Sequence, residues 1–379
     1  MLTNADLAEL ADWRRALHRA PELSGQEHAT AAAFAAEVAR FRPDEVVTGL
    51  GTTGVAAVWQ GREPGPTVMI RAELDALPIV ETGSAPWASD VPGIAHLCGH
   101  DGHLTILAGV ARLLSRRPPA SGRVILLGQP AEETGAGAAA VLADPAFAAL
   151  SPDWAFALHN MPGMPLGHVA LRAGPMNCAS VGLRIALLGR TSHAAEPSAA
   201  HSPALAVARL IPGLIGLGHD GPLDDAFRLV TLTHARLGEP AFGITPGEAE
   251  VWATLRTLTD AGMTGLRDEA AALVADLAGG FSPVLTWHDD FAACANHPEA
   301  TACLASAVRT LGLPLSEGDL PMRASEDFGR FGAVARSAML CLGAGEAVAR
   351  LHAPDYDFPD ALIAPGARIF DRTIRDLLG

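Results

Sequence analysis

The densest chemistry in this chain lies in six residues, Cys98-Gly99-His100-Asp101-Gly102-His103. A thiol, two imidazoles and a carboxylate sit there in a Gly-rich turn ahead of a helical stretch. Gly99 and Gly102 permit backbone geometries closed to other residues. Cys98 and His100, two apart, can face one point from an extended turn. Thiolate, imidazole and carboxylate together are the donors of a transition-metal site. The plainer reading is a helix N-terminus carrying surface histidines. A second cluster, Gln129-Pro130-Ala131-Glu132-Glu133-Thr134-Gly135, places adjacent carboxylates after a buried strand. Open α/β sheets put their chemistry at such positions. Alone, Glu132 and Glu133 read better as acids capping the first turn of a helix. Beside the Cys-His cluster they read as a division of labour. One carboxylate binds metal, and the other takes a proton from a water that the metal activates.

His159 and His352 repeat this geography, each at or after a strand end. A lone histidine there is more often a satisfied polar residue, but two of them beside a ligand cluster become candidate ligands. Asp75, just past another strand, can orient a metal-bound imidazole; its bland role is to start a turn.

The elements that must position these groups alternate. Leu7, Leu10, Trp13 and Leu17 recur at helical spacing, with Asp6 as the expected cap. An Ala-rich helix is expected over 27–40, strands over 55–59 and 67–70, and a turn-rich loop over 78–93. A helix over 102–114, a strand over 123–127, a helix over 136–142 and a strand over 154–158 complete an α/β pattern. That alternation predicts a mixed, mostly parallel sheet flanked by helices. From 179 the order becomes β-α-β-β-α-β: 181–188, 203–217, 227–237, 249–258, 264–277 and 284–287. This is the order of a ferredoxin-like α+β unit. Alternation resumes after 291, with a strand over 339–342 and a closing helix over 363–378. The expected organisation is a discontinuous catalytic domain, 1–178 and 291–379, interrupted by a smaller domain, 179–290.

Composition narrows the function class. The chain has 379 residues, 49% hydrophobic, with Lys+Arg 27 against Asp+Glu 42 and a net charge of −15. It contains no lysine. Such a chain is poorly suited to neutralising nucleic-acid phosphates or to holding an anionic membrane surface. No apolar run reaches the length of about 18 residues expected of a membrane span, and the N-terminus has no signal-peptide core. Five scattered cysteines do not make a disulfide framework. The expectation is an acidic cytoplasmic enzyme.

Eight stretches, in order, carry a resemblance: LHRAPELSGQE from Leu17, RAELDALP from Arg71, AHLCGHDGH from Ala95, QPAEETGAG from Gln129, FALHN from Phe156, GRTSHAAEPS from Gly189, SEDFGRF from Ser325 and LHAPDYDF from Leu351. The chain resembles the N-acyl-amino-acid amidohydrolases, the group of hippurate hydrolases, auxin-conjugate hydrolases and, more distantly, aminoacylases and glutamate carboxypeptidases. The resemblance implies two divalent metal ions, zinc or else manganese, cobalt or nickel. It implies Cys98, His100, Glu133, His159 and His352 as their ligands and Glu132 as general base. It makes the inserted domain a lid that mediates dimerisation, in a homodimer or homotetramer, and brings His193, otherwise a strand-end surface residue, to bind substrate or polarise its carbonyl. The implied substrate is an N-acyl amino acid or short peptide. The sequence departs from the family at Gly243-Ile244-Thr245-Pro246, where a lid asparagine is usual, at Thr191-Ser192, where glycines are common, and at Glu73, where many relatives have Asp. Arg256 is a candidate for binding a substrate carboxylate or for a structural ion pair. Three rival readings stand beside this one. They are a cysteine hydrolase using Cys98 with His100 or His103, a non-enzymatic binding protein, and a dipeptidase, aminopeptidase or carbamoyl-amino-acid hydrolase.

Overall fold

The computed structural model describes residues 1–379. They divide into two units. The first comprises Met1–Met176, Cys294–Leu320 and Asp327–Gly379, and the second Asn177–Ala293 with Pro321–Glu326. Pro321–Glu326 joins the second unit because the Cys178 N–H donates to the carbonyls of Met322 and Ala324, 3.2 and 3.1 Å away.

The first unit is built on an eight-stranded sheet. Its spatial order is Glu45–Leu50, Gly54–Gln60, Ser121–Gln129, Glu63–Glu73, Trp154–Pro162, Arg336–Gly345, Val169–Ala170 and Leu315–Ser316. Ser121–Gln129, Glu63–Glu73, Trp154–Pro162 and Arg336–Gly345 run parallel to one another, and antiparallel strands flank them. Val68, Met69, Ile70 and Val124 to Leu127 are fully buried, as expected for parallel strands covered on both faces. The outer strand Glu45–Leu50 buries only Leu50. It therefore lacks the apolar alternation that marks a strand in sequence.

The helix His100–Arg116 is buried continuously from His100 to Leu114. It packs on the Glu63–Glu73 strand and against the helices Asn4–Arg19 and Ile363–Leu378. Each fully buried Leu, Ile or Val contributes about 1.5–3 kcal/mol, so this helix is a rigid mount for the residues at its start. The Asn4–Arg19 helix begins earlier than Asp6 capping would allow. Thr3 is the N-cap, accepting from the Asp6 N–H at 3.2 Å, and the Asp6 carboxylate accepts from the Thr3 N–H in return.

The parallel strands set the geography of the chemistry. Their C-terminal ends, Glu73, Gln129, Pro162 and Gly345, share one edge of the sheet. Asp75 lies just beyond the first, Glu132 and Glu133 just beyond the second, and His159 near the end of the third. Cys98 and His100 end the loop that leaves Glu73, and His352 is on the loop that leaves Gly345. This is where open α/β sheets place ligands.

In the second unit four antiparallel strands are ordered Arg228–Leu237, Glu248–Thr257, Ala179–Leu188 and Val284–Phe291. Ala204–Gly216 and Asp260–Leu277 supply the two helices. Val181, Leu183, Ile185, Leu210, Val251, Leu255, Leu266 and Val274 form its separate core. In chain order the strands stand second, third, first, fourth, which is the ferredoxin-like topology. No helix of the chain is long and apolar enough to cross a membrane.

Candidate metal centre

Gly99 starts the mount. It is the residue before the His100–Arg116 helix, with φ of 94°, and a Cβ there would run into the Asn160 side chain. Only glycine combines that left-handed backbone with that close approach. Gly102 serves differently from the expected backbone freedom. It is helical, and its missing side chain makes room for the Phe358 ring.

The turn delivers Cys98 and His100 to one side. His100 Nδ1 lies 2.9 Å from the Asp75 main-chain carbonyl and therefore donates to it. His100 Nε2 is the free ring position, and that atom is buried with no hydrogen-bond partner. His159 repeats the arrangement, with Nδ1 2.8 Å from the Asn160 carbonyl and Nε2 3.4 Å from Cys98 Sγ. Tethering one ring nitrogen to fix the lone pair on the other is how metal-binding histidines are held. Asp75 grips the centre at three points: its carbonyl takes His100, and its carboxylate takes the Glu133 N–H at 2.9 Å and the Ser24 hydroxyl at 2.7 Å.

Donor atoms lie within 4.8 Å of one another in Cys98 with His100 and His159, in Cys98 with Glu133 and His352, and in His100 with Glu132 and Glu133; Glu73, His100 and His103 make a further such group. All five expected ligands and Glu132 thus gather at the sheet edge, and Cys98 is common to the first two groups. His352 Nε2 is 3.6 Å from Glu133 Oε1. The backbone is left-handed at His352 and Ala131, with φ of 63° and 48°. Such conformations cost free energy in residues with a Cβ and cluster at functional sites. Glu132 and Glu133 do not cap a helix, because the next one begins at Gly137.

Electrostatics describe a place built for positive charge. Burial, then Glu133 and Glu132, push the Cys98 thiol well above its ordinary range. Burial pushes His100 down, but Asp75, Glu73 and Glu133 outweigh it and raise it to about 10. Burial, with His103, drives His159 down to about 3. A protonated thiol 3.4 Å from the neutral His159 imidazole is not the thiolate–imidazolium pair that a cysteine nucleophile requires. The rival cysteine mechanism is also short of a base. His103 Nδ1 is 2.6 Å from Glu73 Oε2, and its Nε2 accepts the Asn160 N–H at 3.2 Å. Divalent cations fit the donor set. The bare Nε2 of buried His100 needs a partner, and a cation among these carboxylates would keep the Cys98 sulfur deprotonated.

Two hexapeptide members counted as possible ligands do other work. His103 is engaged by Glu73, and Asp101 is engaged by Arg14 and His18. The helix begins at His100, so Asp101 and His103 leave its first turn in other directions. Glu73 in turn meets Arg71, whose Nη2 lies 2.6 Å from Asp327 Oδ1. Asn160 was not singled out in the sequence; its only signal there is its place after His159.

His193 belongs to the second unit. It is exposed in a two-stranded ribbon in which Ser192–His193 pairs with Ile244–Thr245, and His193 stands opposite Ile244. Its Nδ1 accepts the Ala195 N–H at 3.1 Å. The substituted stretch from Gly243 is therefore the direct neighbour of His193. Arg256 donates to the Arg323 carbonyl and the Ser325 hydroxyl, at 3.0 and 2.8 Å, rather than to a carboxylate.

The model of peptidase family M20/M25/M40 matches residues 69–376. The chain belongs to this family. Similar proteins include an N-acetylcysteine deacetylase of Bacillus subtilis, 33% identical over 74% of this chain and 73% of that one. Thermostable carboxypeptidase 2 of Saccharolobus solfataricus is 31% identical over 86% of this chain and 84% of that one. The crystal structure of the YXEP protein of Bacillus subtilis, a dinuclear metal-binding M20 peptidase, superimposes with a TM-score of 0.82. It is 26% identical and covers 99% of both chains. As an M20 member the chain is a metal-dependent amidohydrolase, and the fold and donor clusters support two divalent cations.

Proposed function

We propose that this M20 amidohydrolase cleaves the amide bond of N-acyl amino acids. The observation that carries the reading is the pair of donor groups sharing Cys98 Sγ, with the buried Glu132 carboxylate beside them. His100 and His159 with Cys98 would hold one cation, and Glu133 and His352 with Cys98 would hold the other. Zinc suits the mixture of thiolate, imidazole and carboxylate, and manganese, cobalt and nickel are the alternatives. When bound, the cations supply Lewis acidity toward the scissile carbonyl and lower the pKa of water. Glu132 accepts the proton of the attacking water and passes it to the leaving amine. Asp75, Asn160 and the Glu73–His103 pair hold the histidines in place. The likeness to an N-acetylcysteine deacetylase favours a small acyl group, whereas the likeness to a carboxypeptidase favours peptides.

A screen of N-acetyl amino acids, N-benzoyl amino acids and dipeptides separates these readings. The expected result is turnover of N-acyl amino acids that a chelator abolishes and added divalent metal restores. Preferred turnover of dipeptides with free amino groups would move the protein to the peptidase reading. Activity untouched by chelator would overturn the metal mechanism.

His193 is assigned the role of oxyanion donor. His193→Ala is expected to keep both metals and lower kcat by about 10²–10³-fold, the usual contribution of one such donor. Mixing it with Glu132→Gln protein distinguishes action within a subunit from action across a dimer. Regained activity means that His193 serves a partner's site, and a wild-type rate for His193→Ala removes it from the reaction.

A further inference from the structure

Arg14 lies ahead of residue 69, where the family match begins, yet it is wired to the metal centre. It is 0% exposed. Its Nη1 contacts Asp101 Oδ2 at 3.1 Å and Asp357 Oδ1 at 2.6 Å, and its Nε contacts Asp360 Oδ1 at 2.8 Å. Asp101 adjoins His100 in the first turn of the buried helix, and Asp357 follows His352 on the same loop. His18, one turn after Arg14, contacts the same Asp101 oxygen at 2.9 Å and reaches Glu81 at 3.3 Å. Trp87 donates to the other Asp357 oxygen at 2.9 Å.

The two ends of this bridge differ in firmness. His100 is buried in a packed helix, and its ring is tethered to Asp75. The His352 side chain is 48% exposed on a left-handed backbone. Its N–H donates to the Leu97 carbonyl at 2.8 Å, the Thr82 N–H donates to the Pro354 carbonyl at 2.7 Å, and Tyr356 and Phe358 are buried. Asp357 is the point at which Arg14 joins these anchors. We propose that Arg14 is a positioning residue of the metal centre: by gripping Asp101 and Asp357 with one guanidinium, it sets the His352 loop against the start of the His100 helix. The planar fork of Arg can hold several carboxylates at fixed angles, which a lysine ammonium cannot. The inference rests on the ligand assignment above.

Zinc binding measured by equilibrium dialysis on the intact protein tests it. Wild type is expected to bind two equivalents and His352→Ala one. Asp357→Ala, which cuts the bridge but leaves Arg14 its other partners, is expected to keep the first equivalent. It should weaken the second by about 10–100-fold, the usual effect of losing an outer-shell partner. Arg14→Met should do the same. If it does not fold, Arg14→Lys replaces it and is expected to weaken the second equivalent in the same direction. Arg15→Met serves as comparison. It removes the outer contact to Asp360 at 2.7 Å and the stacking on Trp87, and should leave both affinities unchanged. Wild-type affinities in Asp357→Ala, with His352→Ala at one equivalent, overturn the positioning role alone. An equal weakening in Arg15→Met overturns it too, because any loss of ion pairing there would then suffice. Two equivalents in His352→Ala overturn the ligand assignment, and this proposal with it.

Discussion

Glu132→Gln is expected to keep both cations and lose catalysis by about 10²–10⁴-fold, the share usually supplied by a general acid–base group. The substitution changes little but the charge and the proton affinity. Glu132 is 6% exposed and sits in the turn after Gln129, so an isosteric amide fits its place. It is grouped with His100 and Glu133, and it is in neither group built on Cys98. A carboxylate beside the metal ligands, outside the sets that share the sulfur, is placed to handle protons. The neighbouring Glu133→Gln should do the opposite. Its carboxylate is grouped with Cys98 and His352, so it should lower metal content first and activity as a consequence. Metal per chain and kcat measured on both variants decide the matter. Reversed phenotypes would exchange the roles, and near-wild-type kcat in Glu132→Gln would remove it as the base.

The sequence showed more of this site than of what supports it. Cys98, His100 and the Glu132–Glu133 pair stand out because reactive side chains are crowded into a few positions. The alternating elements place them at one sheet edge, and the sheet puts them there. His159 and His352 were legible as strand-end histidines, though that signal is weak for either alone. Of the supports, Asp75 was legible as an orienting carboxylate, although its carbonyl makes the closer contact to His100; the others were not, because most act through the main chain. His100 is held by the Asp75 carbonyl and His159 by the Asn160 carbonyl, and a carbonyl has no residue-specific signature. Arg14 was invisible for another reason. A charged residue on an amphipathic helix reads as solvent-facing, and its three carboxylate partners come from remote parts of the chain. Element boundaries shifted where polar neighbours decide them, as at Thr3 and Asp6. The short segment Pro321–Glu326 left the catalytic domain through hydrogen bonds to Cys178, which no composition pattern encodes.

Cys98→Ser is expected to deplete both cations together, whereas His159→Ala and His352→Ala should each deplete mainly one. The asymmetry follows from the sulfur's membership of both donor groups. A buried thiol surrounded by Glu133 and Glu132 is held protonated by those neighbours, and a cation reverses that balance by stabilising the thiolate. Serine cannot replace it, because its hydroxyl does not become an anion as readily and is a harder, weaker donor. The loss of affinity should exceed the roughly 10–100-fold typical of an outer-shell partner, and excess metal should restore only part of the activity. Elemental analysis after dialysis is the direct measurement, and two full equivalents in Cys98→Ser would remove the sulfur from the centre. Cys98→Asp sharpens the test, because a carboxylate keeps the negative charge and offers two oxygens to two cations. It should recover much of the metal content that serine loses. Its preference should shift from zinc toward manganese, since oxygen donors suit the harder ion. If Cys98→Asp binds no better than Cys98→Ser, negative charge between the cations is not what Cys98 provides.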